Sequence, residues 1–146
     1  MKRLLFLLLL SVAALSAASK PDFSGTWKLN LEKSQMGGMP VTELVAQIQH
    51  KDPDFRYKAK GVADGHSFEE EIVLTTDGKP NPGPRDATLT AHWDGTVIVI
   101  EATSSDGNST QISRLALSGD GKTLTHDSVS EGDEDRPPRH EVFERQ

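Results

Sequence analysis

No cysteine occurs anywhere in the sequence. That excludes an anchor built on a lipid-modified cysteine, and an exported fold without disulfides must close its own hydrogen-bond ladder and core. Long apolar runs are also missing beyond the N-terminus. The one such run, Leu4 to Leu10, is well short of the roughly 20 residues that span a bilayer, so no stable membrane insertion is expected. Positive charge is in deficit, with 16 Lys and Arg against 22 Asp and Glu. Such a surface repels nucleic acid and anionic lipid at long range, which leaves neither as an expected partner.

Catalytic patterns are lacking too. The chain has no Gly-x-Ser-x-Gly elbow, no nucleophile beside a base and no paired carboxylates in a clear pocket context, so an enzyme is not expected. Its histidines, His50, His66, His92, His126 and His140, fall in separate segments without the short spacing of a zinc motif, and neither a metal nor a cofactor is expected. The acidic stretch from Glu131 to Asp135 lacks the alternating oxygen ligands of a calcium loop.

What is present begins with Lys2 and Arg3, the apolar run, and the small residues Ser16-Ala17-Ala18. This is the three-part pattern of a secretory signal peptide. Residues 1–18 are therefore expected to be removed, leaving residues 19–146 as one domain in the periplasm or outside the cell. Loss of the two basic residues takes the formal charge from −6 to −8.

Five Asp-Gly dipeptides punctuate the remainder, beginning at Asp64, Asp77, Asp94, Asp106 and Asp120. Both residues tolerate the positive φ of tight hairpin turns, so each dipeptide between β-prone segments predicts a hairpin. Nine strands follow, near 24–30, 41–50, 54–62, 66–75, 86–93, 96–104, 109–118, 122–130 and 139–145. Leu31 to Gln35 has room for one helical turn. The fold class is all-β: an antiparallel up-and-down barrel of about eight to nine strands.

Alternation assigns inner faces to Leu44, Ala46 and Ile48; to Phe55, Tyr57 and Ala59; to Phe68, Ile72 and Leu74; and to Ala87, Leu89, Ala91 and Trp93. Val97 to Ile100 is apolar on both faces, which means a strand covered on both sides or a sticky patch. The inner set supplies candidate ligand contacts: Phe55, Tyr57, Phe68 and Trp93, the last at a barrel rim. Glu70 is the candidate polar contact. In extended chain it points away from Glu69 and Glu71 and shares the inner face with Phe68 and Ile72, where burial would demand a basic partner or a ligand amine. Alternation also turns His50 and His126 inward and His92 outward. Gly25 and Trp27 suit a strand that starts at a close backbone approach and plugs the barrel floor with an indole.

Phe23 to Asn30 and Lys33-Ser34 resemble the Gly-x-Trp opening of the lipocalin and fatty-acid-binding protein group, and more closely that of secreted bacterial lipocalin-like domains. The runs Thr75 to Lys79, Leu117 to Thr125 and Val142 to Arg145 are similar to later parts of the same domains. The chain departs from true lipocalins where Gly78 follows Thr76-Asp77 in place of a tyrosine, and in having no disulfide cysteines. The resemblance implies an up-and-down barrel with a cup for a small, partly apolar molecule, and an arginine from a late strand packed across Trp27. Arg145 matches that arginine best, and Arg114 less well. Two other readings are an interaction module that binds an envelope protein or glycan through a sheet face or loops, and a hydrolase-type enzyme using Glu70 with His126.

Overall fold

The computed structural model describes residues 19–146, and the expected signal peptide lies outside the described residues. Ten antiparallel strands run in chain order: β1 (Gly25–Leu29), β2 (Val41–Lys51), β3 (Asp54–Ala63), β4 (His66–Thr75), β5 (Asn81–Pro82), β6 (Thr88–Asp94), β7 (Val97–Thr103), β8 (Thr110–Leu117), β9 (Thr123–Glu131) and β10 (Arg139–Arg145). They form one sheet in the order β4-β3-β2-β1-β10-β9-β8-β7-β6-β5. Because β1 pairs with both β2 and β10, the meander curls into a nearly closed barrel. Its seam lies between β4 and the β5–β6 edge, where strands touch without a ladder.

Ten strands replace the expected eight or nine. The extra one is β5, two residues inside the proline-rich connection from Gly78 to Arg85. Pro82 has no N–H to give a second neighbour, and a sheet edge is where that is tolerated. Ala87 stands outside β6, as the extended residue ending a 3-10 turn at Pro84–Asp86. The turn expected after β1 is a 3-10 turn at Leu31–Lys33, whose Asn30 side chain accepts the Lys33 N–H.

The Asp77-Gly78 turn, expected as a hairpin, pairs no strands, because β4 and β5 lie on opposite edges of the sheet. Two of the hairpins share one local construction. At β8–β9, Ser118 Oγ donates to Asp120 Oδ1 (2.6 Å) and accepts from the Thr123 N–H (3.0 Å), while Asp120 Oδ1 also accepts from the Lys122 N–H (3.0 Å). Ser104, Asp106, Asn108 and Ser109 repeat the arrangement at β7–β8. At Gly121 φ is +68°, a conformation that suits glycine.

Paired residues share a face, so the registers fix the interior. Ala46 faces both Trp27 and Ala59 across the β2 ladders, and Ile98 faces both Trp93 and Leu115 across those of β7. Val99 points outward, paired with His92 and Arg114, and only 5% of it is exposed. Ile98 inside and Val99 outside are thus buried, while Val97 and Ile100 are partly exposed, and the run presents no fully exposed apolar residue.

The barrel has two unlike ends. The chain enters across one of them: Phe23 is fully buried, and the β2–β3, β6–β7 and β8–β9 turns gather round it. The other end carries the β1–β2 connection, the β3–β4 and β7–β8 turns and the Glu131–Pro138 loop.

Candidate functional site

The first end is a plugged floor. Trp27, fully buried, donates its Nε1–H to the Phe23 carbonyl at 3.1 Å. The Arg145 guanidinium lies 4.2 Å from the indole ring and donates to the carbonyls of Ser24 (2.7 Å) and Gly121 (2.8 Å). Gly25 has φ +147°, and a Cβ there would stand 2.4 Å from Arg145 Nη1. These three residues act as one unit: the arginine roofs the indole only because residue 25 has no side chain.

Above them Phe23, His50, Phe55 and Trp93 form an aromatic cluster with ring centroids 5.7 to 6.5 Å apart. Trp93 donates its Nε1–H to Asp52 Oδ1 at 2.8 Å, and Lys20 sits over its ring at 5.4 Å. Hydrogen bonds from Thr76, Lys20 and Trp93 hold the Asp52 carboxyl well below the usual carboxylate range. The structure thus places Trp93 and Phe55 in the floor rather than at an open rim. His50 is almost wholly enclosed; its Nδ1 accepts the Phe23 N–H at 3.3 Å and its Nε2 has no hydrogen-bond partner among the described residues. Burial pushes its pKa down against the opposing pull of Asp22 and Asp52.

The upper half of the interior differs in both polarity and access. From β3 and β4 it receives Tyr57, Phe68, Glu70 and Ile72; from β7, Ile100 and Ala102; from β8 to β10, Ser113, Ser128, His126, Glu141 and Arg139. Glu141 is 5% exposed, and its Oε2 meets His126 Nδ1 at 2.5 Å. Arg139 donates through Nε to Ser128 Oγ (3.2 Å), and its Nη1 stands 3.7 Å from Glu141 Oε1 and 2.8 Å from Met39 Sδ. Burial pushes the Glu141 carboxyl up, but the hydrogen bond and charge of His126, with Arg139, outweigh it and leave it below its ordinary value.

The carboxylate that meets His126 is thus Glu141, not Glu70. Glu70 does lie on the inner face, paired with Ala59, but on the seam strand, where it is exposed. Of the five expected ligand contacts, Tyr57, Phe68 and Glu70 line the upper half, while Phe55 and Trp93 serve the floor. Ser128 shares the face of Leu124 and His126, as alternation has it, whereas Arg139 and Glu141 have no place in that reading. Counting back by twos from Phe143, whose inner placement is set by its pairing with Leu29 and Leu124, is the signal that finds both.

Tyr57 is the informative residue of this half. It is enclosed deeply enough that burial, with Glu70 and Glu141 adding to it, pushes the phenol pKa up. Its side chain nonetheless remains partly reachable by water, as do the inward-facing Phe68, Ile72, Ile100 and Ala102. Two shallow grooves, of about 450 and 660 Å³, lie elsewhere, one at the floor beside Asp22, Asp120 and Arg145 and one on the outer face beside Lys28, Glu43 and Glu144.

With ten strands, one seam and one plugged end in place, similarity to solved structures is extensive. Human cRBP IV aligns over 86% of this chain and 99% of its own, at 14% identity and TM-score 0.57. The fluorescent protein UnaG aligns over 84% and 95%, at 16% identity and TM-score 0.64. The fold is that of the fatty-acid-binding and lipocalin-like barrels. Caenorhabditis elegans lipid binding protein 8 shares it, over 85% and 95% of the two chains at 10% identity and TM-score 0.56. No protein-family model and no curated protein matches the sequence.

Proposed function

We propose that this protein is an exported, non-enzymatic carrier that binds one small, partly apolar molecule in the upper half of its barrel. The observation that carries the reading is the set of inward side chains Tyr57, Phe68, Ile72, Ile100 and Ala102, which are only partly buried although they face the barrel interior. In a barrel plugged at its floor, inward side chains left partly exposed mark the end at which a small molecule would pack. Around it the inward Phe68, Ile72, Ile100 and Ala102 supply apolar wall, and Arg139, Glu141 and Ser128 supply convergent polar groups. A mostly apolar lining with a few placed polar groups is the usual make-up of a small-molecule site. The neighbours named for lipid binding share the fold, which supports the reading by analogy only.

The test is titration of residues 19–146 with the neutral apolar dye Nile red, alongside native mass spectrometry of protein purified from its own host. Saturable one-to-one binding, weakened by Ile100→Glu, is expected. Absence of saturable dye binding, together with no retained small molecule, overturns the proposal.

A further inference from the structure

The three consecutive glutamates of β4 have different fates. Glu69 and Glu71 point outward and pair with Lys60 (2.8 Å) and Arg56 (3.4 Å) on β3. Glu70 points inward, and no basic side chain among the described residues forms an ion pair with it, because Arg139, the inward guanidinium, is turned to Glu141 and Ser128. Diagonally across the β3–β4 ladder stands Tyr57, whose hydroxyl has no hydrogen-bond partner among the described residues. Phe68 and Ile72 flank Glu70 on the same face.

The charges facing this space are unevenly partnered. Glu141 meets His126 and stands beside Arg139, whereas Glu70 has no basic partner among the described residues. An anionic head group approaching Arg139 meets both carboxylates. A cationic one finds an unpaired carboxylate, a hydroxyl oxygen free to accept, and contact with water at the seam, so its charge is not stripped of solvent.

We propose that the cup selects amphiphiles with a protonated amine head, Glu70 acting as counter-charge, the Tyr57 hydroxyl as acceptor, and Phe68 and Ile72 as the first apolar contacts. This rests on the carrier reading and names its ligand class. The experiment compares dodecylamine, dodecanol and dodecanoate, each below its micellar concentration at pH 7, as displacers of Nile red from the wild type, Glu70→Gln and Tyr57→Phe. A charge-assisted contact predicts that the amine binds about ten-fold more tightly than the alcohol, and the carboxylate more weakly than either. Glu70→Gln should erase the advantage of the amine over the alcohol, and Tyr57→Phe should reduce that advantage. A carboxylate that binds as well as the amine, or an amine-to-alcohol ratio untouched by Glu70→Gln, overturns the inference and leaves the carrier reading standing. Failure of the dye and of all three displacers removes both.

Discussion

At the scale of single residues, the floor shows how one missing side chain organises several others. Gly25 cannot be replaced without cost, since an L residue at φ +147° is strained and its Cβ meets Arg145 Nη1. Gly25→Ala is expected to cost about 1–3 kcal/mol in urea unfolding. If steric conflict with the guanidinium dominates, Arg145→Ala will recover part of that loss in the double variant; additive losses would instead assign the whole effect to backbone strain. His50 makes a prediction about pH. Its folded-state pKa is depressed, so the unfolded chain binds a proton more readily and stability falls as pH drops through the ordinary histidine range, near 6.5. Equilibrium unfolding at pH 7.5 and pH 5 should show a steeper loss for the wild type than for His50→Phe, which cannot titrate. Equal slopes would mean that His50 is protonated in the fold at no cost.

Strands and turns are where the sequence was most readable, and particular residues show why. Asp-Gly after a Ser two positions earlier makes a hairpin through local hydrogen bonds at β7–β8 and β8–β9, whereas the same bonds at Thr75 and Asp77 close none, because β4 and β5 lie on opposite edges of the sheet. Strand boundaries and most inner faces followed from that punctuation and from alternation. The signal weakened where tertiary packing overrides period two. Val142 and Phe143 are both buried, Phe143 inside and Val142 on the opposite face against the Leu31–Lys33 turn, so alternation near them hid Glu141 and Arg139. Trp93 was placed at a rim because a turn follows it, but turns close both ends, and only the path of residues 19–24 distinguishes floor from mouth. β5 had no signal, being two residues within prolines and glycine. The local turns can be tested at the two ends of β8. Ser104→Ala and Ser118→Ala each remove an acceptor for a backbone N–H and should each cost about 1 kcal/mol. The double variant should lose the sum, because the sites share no partner. A synergistic loss would mean that the hairpins stabilise each other through β8.

Across the whole molecule, the interior is divided between a closely packed floor and an upper half whose inward apolar side chains are partly exposed, and this division makes a prediction of its own. Phe23, fully buried, is an anchor by which the entering chain seals the floor, and its truncation leaves a void among His50, Phe55, Trp93 and Trp27. Phe23→Ala should therefore destabilise by about 3–5 kcal/mol. The proposed ligand space is walled by Tyr57, Phe68, Ile72, Ile100, Arg139 and Glu141, which belong to a different layer of the barrel. Below the unfolding transition, dye affinity in Phe23→Ala should stay within about two-fold of wild type, a difference under 0.5 kcal/mol in binding. Saturating dye at about 100 times its Kd should then raise the stability of both proteins by the same amount, about 2.7 kcal/mol. Were Phe23→Ala folded but unable to bind, the floor would be part of the binding site, and Phe55 and Trp93 would return as ligand contacts.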